Sequence, residues 1–139
     1  MPSFIFNSAV RDEATGAIDF DTDSFKVMLL TAAAAPNKDT WAKRSDVTNE
    51  VVGAGYTAGG AAVAVAVGAV DTANDRVDIS LGGATWANAT ITARYAVYYK
   101  ARGGAATADE LVAVNDFGAD VASTAAAFAL AASTYRKQN

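Results

Sequence analysis

From Ile91 to Lys100 the chain changes character at every residue, with Ile91, Ala93, Tyr95, Val97 and Tyr99 on one side and Thr92, Arg94, Ala96, Tyr98 and Lys100 on the other. A period of two is the pleat of a half-buried strand and does not fit a helix, whose period is 3.6. The same alternation sets Phe25, Val27 and Leu29 against Lys26, Met28 and Leu30, and Val77, Ile79 and Leu81 against Arg76, Asp78 and Ser80. Within Ala61–Val70, Val63, Val65 and Val67 alternate with alanines. Leu111–Phe117 is a further strand candidate. Thr124–Ala132 is ambiguous, because its alanines favour helix while Phe128 and Leu130 alternate; it reads better as a strand. Turn residues separate these segments at Asp71–Asp75, Gly82–Gly83, Arg102–Gly104 and Phe117–Asp120. Short strands at this spacing predict an all-β fold, an antiparallel sandwich or barrel, and 139 residues make one such domain over 1–139.

Two segments at the start depart from the pattern. Phe4–Thr15 predicts a short N-terminal helix with Asn7 as its cap and Gly16 just beyond its end. Ala17–Phe20 predicts a short strand, followed by an acidic turn into the strand from Phe25. Asn37–Glu50, polar apart from Trp41 and Val47, is the expected long loop. Val51–Val70 runs without a charge and contains Gly55 and Gly59 at the spacing of a membrane helix pair. Five glycines, no Leu, Ile or Phe, and flanking Glu50 and Asp71 argue against insertion in lipid, so no membrane association is expected.

Composition narrows the chemistry by what it lacks. With no Cys and no His, the chain cannot form a Ser-His-Asp triad, a thiol nucleophile, a Cys/His zinc site or a disulfide. The redox compartment is therefore not legible from cysteine usage. Eleven Lys and Arg against fifteen Asp and Glu leave a net charge of −4 with no basic stripe, so no nucleic-acid partner is expected. The segment Met1–Glu13 lacks the cationic start and long apolar run of a signal peptide, and secretion is not expected. About a quarter of the chain is alanine, and each alanine standing for a leucine gives up about 2.4 kcal/mol of burial. Stability is thus expected to draw on partners.

The candidate sites are few. Asp19, Asp21 and Asp23 match the first three ligand positions of a calcium loop, but Ser24 stands where glycine is needed and Leu30 where glutamate is needed. An acidic turn is the better reading, with no metal and no cofactor. Asp75 with Asp78, or Asp109 with Glu110, supply the carboxylate pairs of a glycosidase, yet nothing in the sequence assembles them, and solvent-facing carboxylates are the simpler account. No catalytic residue is assigned. Trp41, Trp86 and Tyr56 suit sugar stacking or core packing equally in chemistry, with packing the commoner use. Gly53–Gly60 has neither the Lys-Ser/Thr of a phosphate loop nor a strand-to-helix setting. Its glycines suit close backbone approach, with Tyr56 as an anchor.

Asp19–Thr31 (DFDTDSFKVMLLT), Asp46–Val51 (DVTNEV), Gly55–Gly60 (GYTAGG) and Thr90–Lys100 (TITARYAVYYK) resemble, in that order, small structural proteins of tailed bacteriophages. They are most similar to the cement, or decoration, proteins that bind assembled capsids of short-tailed phages, over about Phe6 to Leu130. The alanine runs Ala32–Ala35 and Ala125–Ala127 are not part of that pattern. The resemblance implies a jelly-roll-like antiparallel β-sandwich, a major capsid protein as partner, and a place on the virion surface after synthesis in the bacterial host cytoplasm. Together with the lack of catalytic chemistry, it predicts a non-enzymatic protein that locks neighbouring capsid subunits, and a symmetric homodimer is expected. The interface candidates are Ala62, Ala64 and Ala66, whose uncharged face opposes the valine face, together with Arg94 and Tyr98. That alanine face is either an interface or an internal surface of a strand buried on both sides. The acidic balance predicts a partly basic capsid footprint whose association slows with salt. A carbohydrate-binding sandwich of a phage tail or head appendage is the alternative.

Overall fold

The computed structural model describes residues 1–139 and is all-β apart from one short helix and a single 3-10 turn at Arg44–Asp46. In chain order the elements are β1 (Phe4–Ile5), α1 (Asn7–Thr15), β2 (Phe25–Leu30), β3 (Ala61–Val63), β4 (Val65–Val67), β5 (Arg76–Leu81), β6 (Ala84–Lys100), β7 (Leu111–Leu130) and β8 (Ser133–Gln138). They form two antiparallel sheets, one in the order β1-β7-β6-β2-β3 and the other in the order β4-β5-β8. The expected sandwich with a short N-terminal helix is what the chain builds, and β2 and β5 occupy the segments their alternation marks.

Three chain crossings join the sheets along one line. β3 passes into β4 at Ala64, β5 into β6 at Gly82–Gly83, and β7 into β8 at Ala131–Ala132. Corners between packed sheets need small residues, because the crossing backbones approach closely. A side chain at Gly82 would stand 2.6 Å from the Ala64 carbonyl oxygen, and one at Gly83 would stand 3.1 Å from the Ala132 nitrogen. Gly82–Gly83 is therefore a corner between sheets, where the sequence suggested a simple turn.

The core is one cluster of 27 buried apolar residues that draws on both sheets. Its centre is the paired stretch Tyr95–Lys100 of β6, flanked by Leu30–Phe25 of β2 and by Leu111–Asp116 of β7. Both side-chain directions are enclosed here: Ala96, Val97, Tyr98 and Tyr99 are all buried, as are Val27, Met28, Leu29 and Leu30. The half-buried alternation predicted for Ile91–Lys100 holds only at its start, where Ile91 and Ala93 are buried and Thr92 is exposed.

β6 and β7 run far longer than their patterning suggested. Phe117–Asp120 does not reverse the chain; Gly118, at φ 81°, lies within β7, and the register slips opposite it between Ala93 and Tyr95. Such bulges bend and twist a strand without ending it. Thr124–Leu130 is strand. Ala125 adopts φ 45°, a left-handed conformation that disfavours any residue bearing a Cβ. Replacing Ala125 by glycine relieves about 1–2 kcal/mol of steric strain and returns about 0.4–1 kcal/mol as unfolded-state entropy. Ala125→Gly is expected to raise the urea midpoint slightly, by up to about 1 kcal/mol of stability; a loss of stability would show the strain to be absent.

The N-terminal segment differs from its prediction in three details, the first being that Phe4–Ile5 is not helix but strand β1, paired with Val114 and Ala113 of β7. α1 ends at Gly16 as expected, in the left-handed conformation at φ 79° with its N–H on the Glu13 carbonyl. Asn7, however, is the first helical residue and not the cap; its side-chain amide donates to Asp39 Oδ1 at 2.6 Å. Ala17–Phe20 forms no strand. Ile18 and Phe20 are buried as isolated anchors, Phe20 stacking on Phe25 at 5.5 Å and meeting Tyr135 edge-on at 5.9 Å. β8, which contributes Tyr135, was not anticipated from the sequence.

Candidate functional site

The valine and alanine faces of Ala61–Val67 separate as the alternation demands. Val63 and Val65 pack on the core, whereas Ala62, Ala64 and Ala66 are exposed, which rules out the internal reading of the alanine face. Val67 is exposed too, a departure from its expected core position. β3 is the last strand of one sheet and β4 the first of the other, so this segment is a free edge. The Gly82 N–H bonds to the Ala64 carbonyl at 2.7 Å and the Gly68 N–H to the Asp78 carbonyl at 2.9 Å. With a two-residue period, the main-chain groups of Val65 and Val67 then face the open side. The edge carries no charge, proline or bulge of the kind that blocks strand addition.

The other two interface candidates lie elsewhere. Tyr98 is 0% exposed, between Val27 and Ala113 on the neighbouring strands, and so offers no surface to a partner. Its hydroxyl has no hydrogen-bond partner, and burial pushes the phenol up to about 12. Arg94 is partly exposed but engaged, holding Asp116 through two bonds of 2.6 and 3.3 Å and lying over the Tyr95 ring.

Asp109 and Glu110 overturn the expectation of solvent-facing carboxylates, being 2% and 3% exposed. Two buried acids need cations, and the distant pair Lys43 and Arg44 supplies them together with the nearby Arg102. Arg44 Nε donates to Asp109 at 2.7 Å, and the Asp109 Oδ1 accepts the Arg102 N–H at 2.9 Å. Arg102 grips Glu110 with bonds of 2.7 to 3.1 Å, and Lys43 stands 3.4 Å from it. Burial would raise the Glu110 pKa, but Arg102 and Lys43 outweigh it and hold the carboxyl below its ordinary range. Both acids are committed to ion pairs, so this cluster is a clamp between the Arg44 turn and residues 101–110.

The acidic triplet folds back on its own backbone. The Asp19 N–H donates to Asp23 Oδ2 at 2.8 Å, the Asp21 N–H donates to Asp19 Oδ1 at 2.9 Å, and Asp23 also pairs with Lys100. Asp78 pairs with Arg136 of β8, while Asp75 sits in the Asp71–Arg76 turn at φ 51°. The three aromatic candidates fall into two separate groups. Trp86 is buried between Tyr56 and Phe128, and Trp41 stacks on Phe6.

Gly53–Gly60 lies flat against β2 and β6, as its glycines suggested. Tyr56 anchors it: its hydroxyl accepts the Leu29 N–H at 2.9 Å and donates to Glu50 at 2.8 Å, and Glu50 also accepts the Gly59 N–H. Tyr99 closes the loop by donating to the Gly59 carbonyl at 2.5 Å.

Carboxyls engaged this way set the acid limit of the fold. Asp46, Asp71, Asp78, Asp116 and Glu110 all have lowered pKa values, through main-chain N–H donors, Asn74 or arginine partners. The folded state then holds fewer protons than the unfolded chain just below pH ~4.5, and stability falls as pH drops through the folded values. The urea midpoint is expected to stay level from pH 7 to pH 5 and to decline below pH ~4; a flat profile down to pH 2.5 would contradict the assignment.

No helix is long and apolar enough to cross a membrane. No protein family, curated protein or solved structure matches the chain.

Proposed function

We propose that the protein is a non-enzymatic capsid-binding protein, a cement or decoration protein that joins neighbouring major capsid subunits on the outside of a phage head. The observation that carries this reading is the free edge Ala61–Val67, where an uncharged strand with a small-residue outer face lies open on the surface. Strand addition suits such an edge, since main-chain bonds provide affinity and alanines permit close approach with little rotamer entropy to lose. The buried, ion-paired state of Asp109 and Glu110 supports a binding role over hydrolysis. The resemblance of four ordered segments to decoration proteins points to the capsid as partner and the virion as location. The protein acts as a homodimer in this reading.

Co-sedimentation with assembled, undecorated heads from a panel of short-tailed phages tests the proposal, with Ala64→Glu as the variant. The exposed Ala64 tolerates a carboxylate in the folded monomer. The protein is expected to pellet with heads and Ala64→Glu to remain in the supernatant, each as folded protein by circular dichroism. Absence of wild-type binding to every head overturns the capsid reading, and full binding by Ala64→Glu removes this edge from it. Sedimentation equilibrium of the free protein checks the dimer.

A further inference from the structure

A cleft of about 1150 Å³ opens between α1, the turn 16–21 and the β4-β5-β8 sheet. Val10 of α1, Val67 of β4 and Val70 just beyond it stand on its walls, and these are three of the six large apolar side chains the chain leaves exposed. Val70 is 72% exposed. Its charge is equally uneven. Glu13, Asp19, Asp21, Asp71 and Asp75 line it against only Arg76 and Lys137, a net −3 where the whole chain carries −4. Asp71 is paired with Arg76, but Asp21 and Asp75 enter no ion pair.

Glu13 adds an acceptor that the fold leaves unused. Its side chain is 9% exposed; Oε2 takes Lys137 and the Tyr135 hydroxyl, while Oε1 has no hydrogen-bond partner. An unsatisfied buried carboxylate oxygen is destabilising unless a donor reaches it. The cleft therefore combines apolar walls with an acidic rim, and Glu13 Oε1 lies buried beneath that rim without a partner. A cationic group flanked by apolar ones matches both the walls and the rim. The adjoining edge of β4, with the Val65 and Val67 main-chain groups facing outward, selects a polypeptide over a small amine, because it offers an extended chain its own hydrogen bonds.

We propose that this cleft is a docking groove for an extended segment of a partner protein that carries a lysine or arginine among apolar residues. The cation sits over the acidic lining near Glu13, Asp21 and Asp75, and its apolar neighbours cover Val10, Val67 and Val70. The inference rests on the reading of the chain as a protein-binding module but not on the partner being a capsid. Its test contains no capsid, so either can fail alone.

The probe is the synthetic peptide N-acetyl-Leu-Val-Lys-Val-Leu-amide, with counterparts carrying norleucine or glutamate at the centre, titrated into the full chain by amide NMR. The lysine peptide is expected to shift amides of residues 10–21 and 65–76, to bind at least tenfold more tightly than the norleucine peptide, and to weaken with salt. The glutamate peptide is expected not to bind. Val70→Arg keeps the fold, since the side chain is exposed, and is expected to weaken the lysine peptide at least tenfold; Asp75→Asn is expected to weaken it less. Equal affinity for all three peptides, shifts confined to other surfaces, or no binding at millimolar peptide overturns the proposal. Concentration-dependent shifts without peptide, abolished by Val70→Arg, would assign the groove to a second copy of this chain and overturn it as well.

Discussion

Gly60→Ala is expected to prevent folding or to remove most of the stability. Gly60 adopts φ 79°, and a Cβ there would lie 2.6 Å from the carbonyl carbon of Val27, 2.8 Å from Met28 Cα and closer still to the Val27 oxygen. The left-handed conformation alone costs a non-glycine residue about 1–2 kcal/mol. The collision costs more, because Val27 and Met28 are main chain of β2, fixed by β6 on one side and β3 on the other. Neither can yield without breaking the centre of the sheet. A total above about 4 kcal/mol follows, against a typical net stability of 5–15 kcal/mol. Gly103→Ala is the control: its φ is 80°, but open space surrounds it, so only the conformational strain applies. Thermal unfolding checks both. A Gly60→Ala protein that melts within a few degrees of wild type would show that the loop does not lie on β2 as described.

Glu110→Ala is expected to cost about 3 kcal/mol, the lower end of the range for breaking a buried pair. The variant leaves Arg102 and Lys43 without their carboxylate, yet both reach water, with side chains 41% and 37% exposed, so their charges are not stranded. Glu110→Gln retains an acceptor for Arg102 and is expected to lose less, about 1–2 kcal/mol. Guanidinium titration of the three proteins measures the order. A loss below about 1 kcal/mol for Glu110→Ala would make the cluster an ornament of the surface in energetic terms.

Those two residues also show where sequence reasoning stops. The glycine-rich run was legible as a close backbone approach, because so many glycines around one tyrosine suit little else. Glu110 was misread as solvated, since Lys43 lies in a distant loop and the grip of Arg102, eight residues away, depends on how residues 101–110 fold back. β5 was legible because its residues alternate in polarity along the strand, and β2 because it is a short apolar run broken only by Lys26. β8 was not: Ser133–Gln138 is polar, and its cross-strand pair, Arg136 with Asp78, exists only once the register with β5 is known. The length of β6 and β7 was hidden by Gly118 and by alanines that suit either helix or strand. The alanine face was recognised as a surface with two possible fates, and only the position of β3 and β4 at sheet edges distinguished them. The acidic cleft left no trace in the sequence, because its lining comes from residues 10–21, 67–79 and 137–139.

The long hairpin of β6 and β7 ranks the other pairings by the span of chain each must close. β6 meets β7 across residues 101–110, whereas Leu30 must find Tyr95 and Phe4 must find Val114. Loop closure becomes slowly but steadily less favourable with length, by about 0.6 kcal/mol per doubling. Hairpins form in about 1–10 μs, and proteins dominated by distant strand pairs complete folding in milliseconds to seconds. A newly unfolded chain thus has a template long before it has a core. During that interval β6 presents an unpaired edge awaiting β2, and a second chain offering its own Phe25–Leu30 competes for it on equal chemical terms. Dilution during refolding favours the intramolecular partner, so the yield of folded protein is expected to fall as concentration rises.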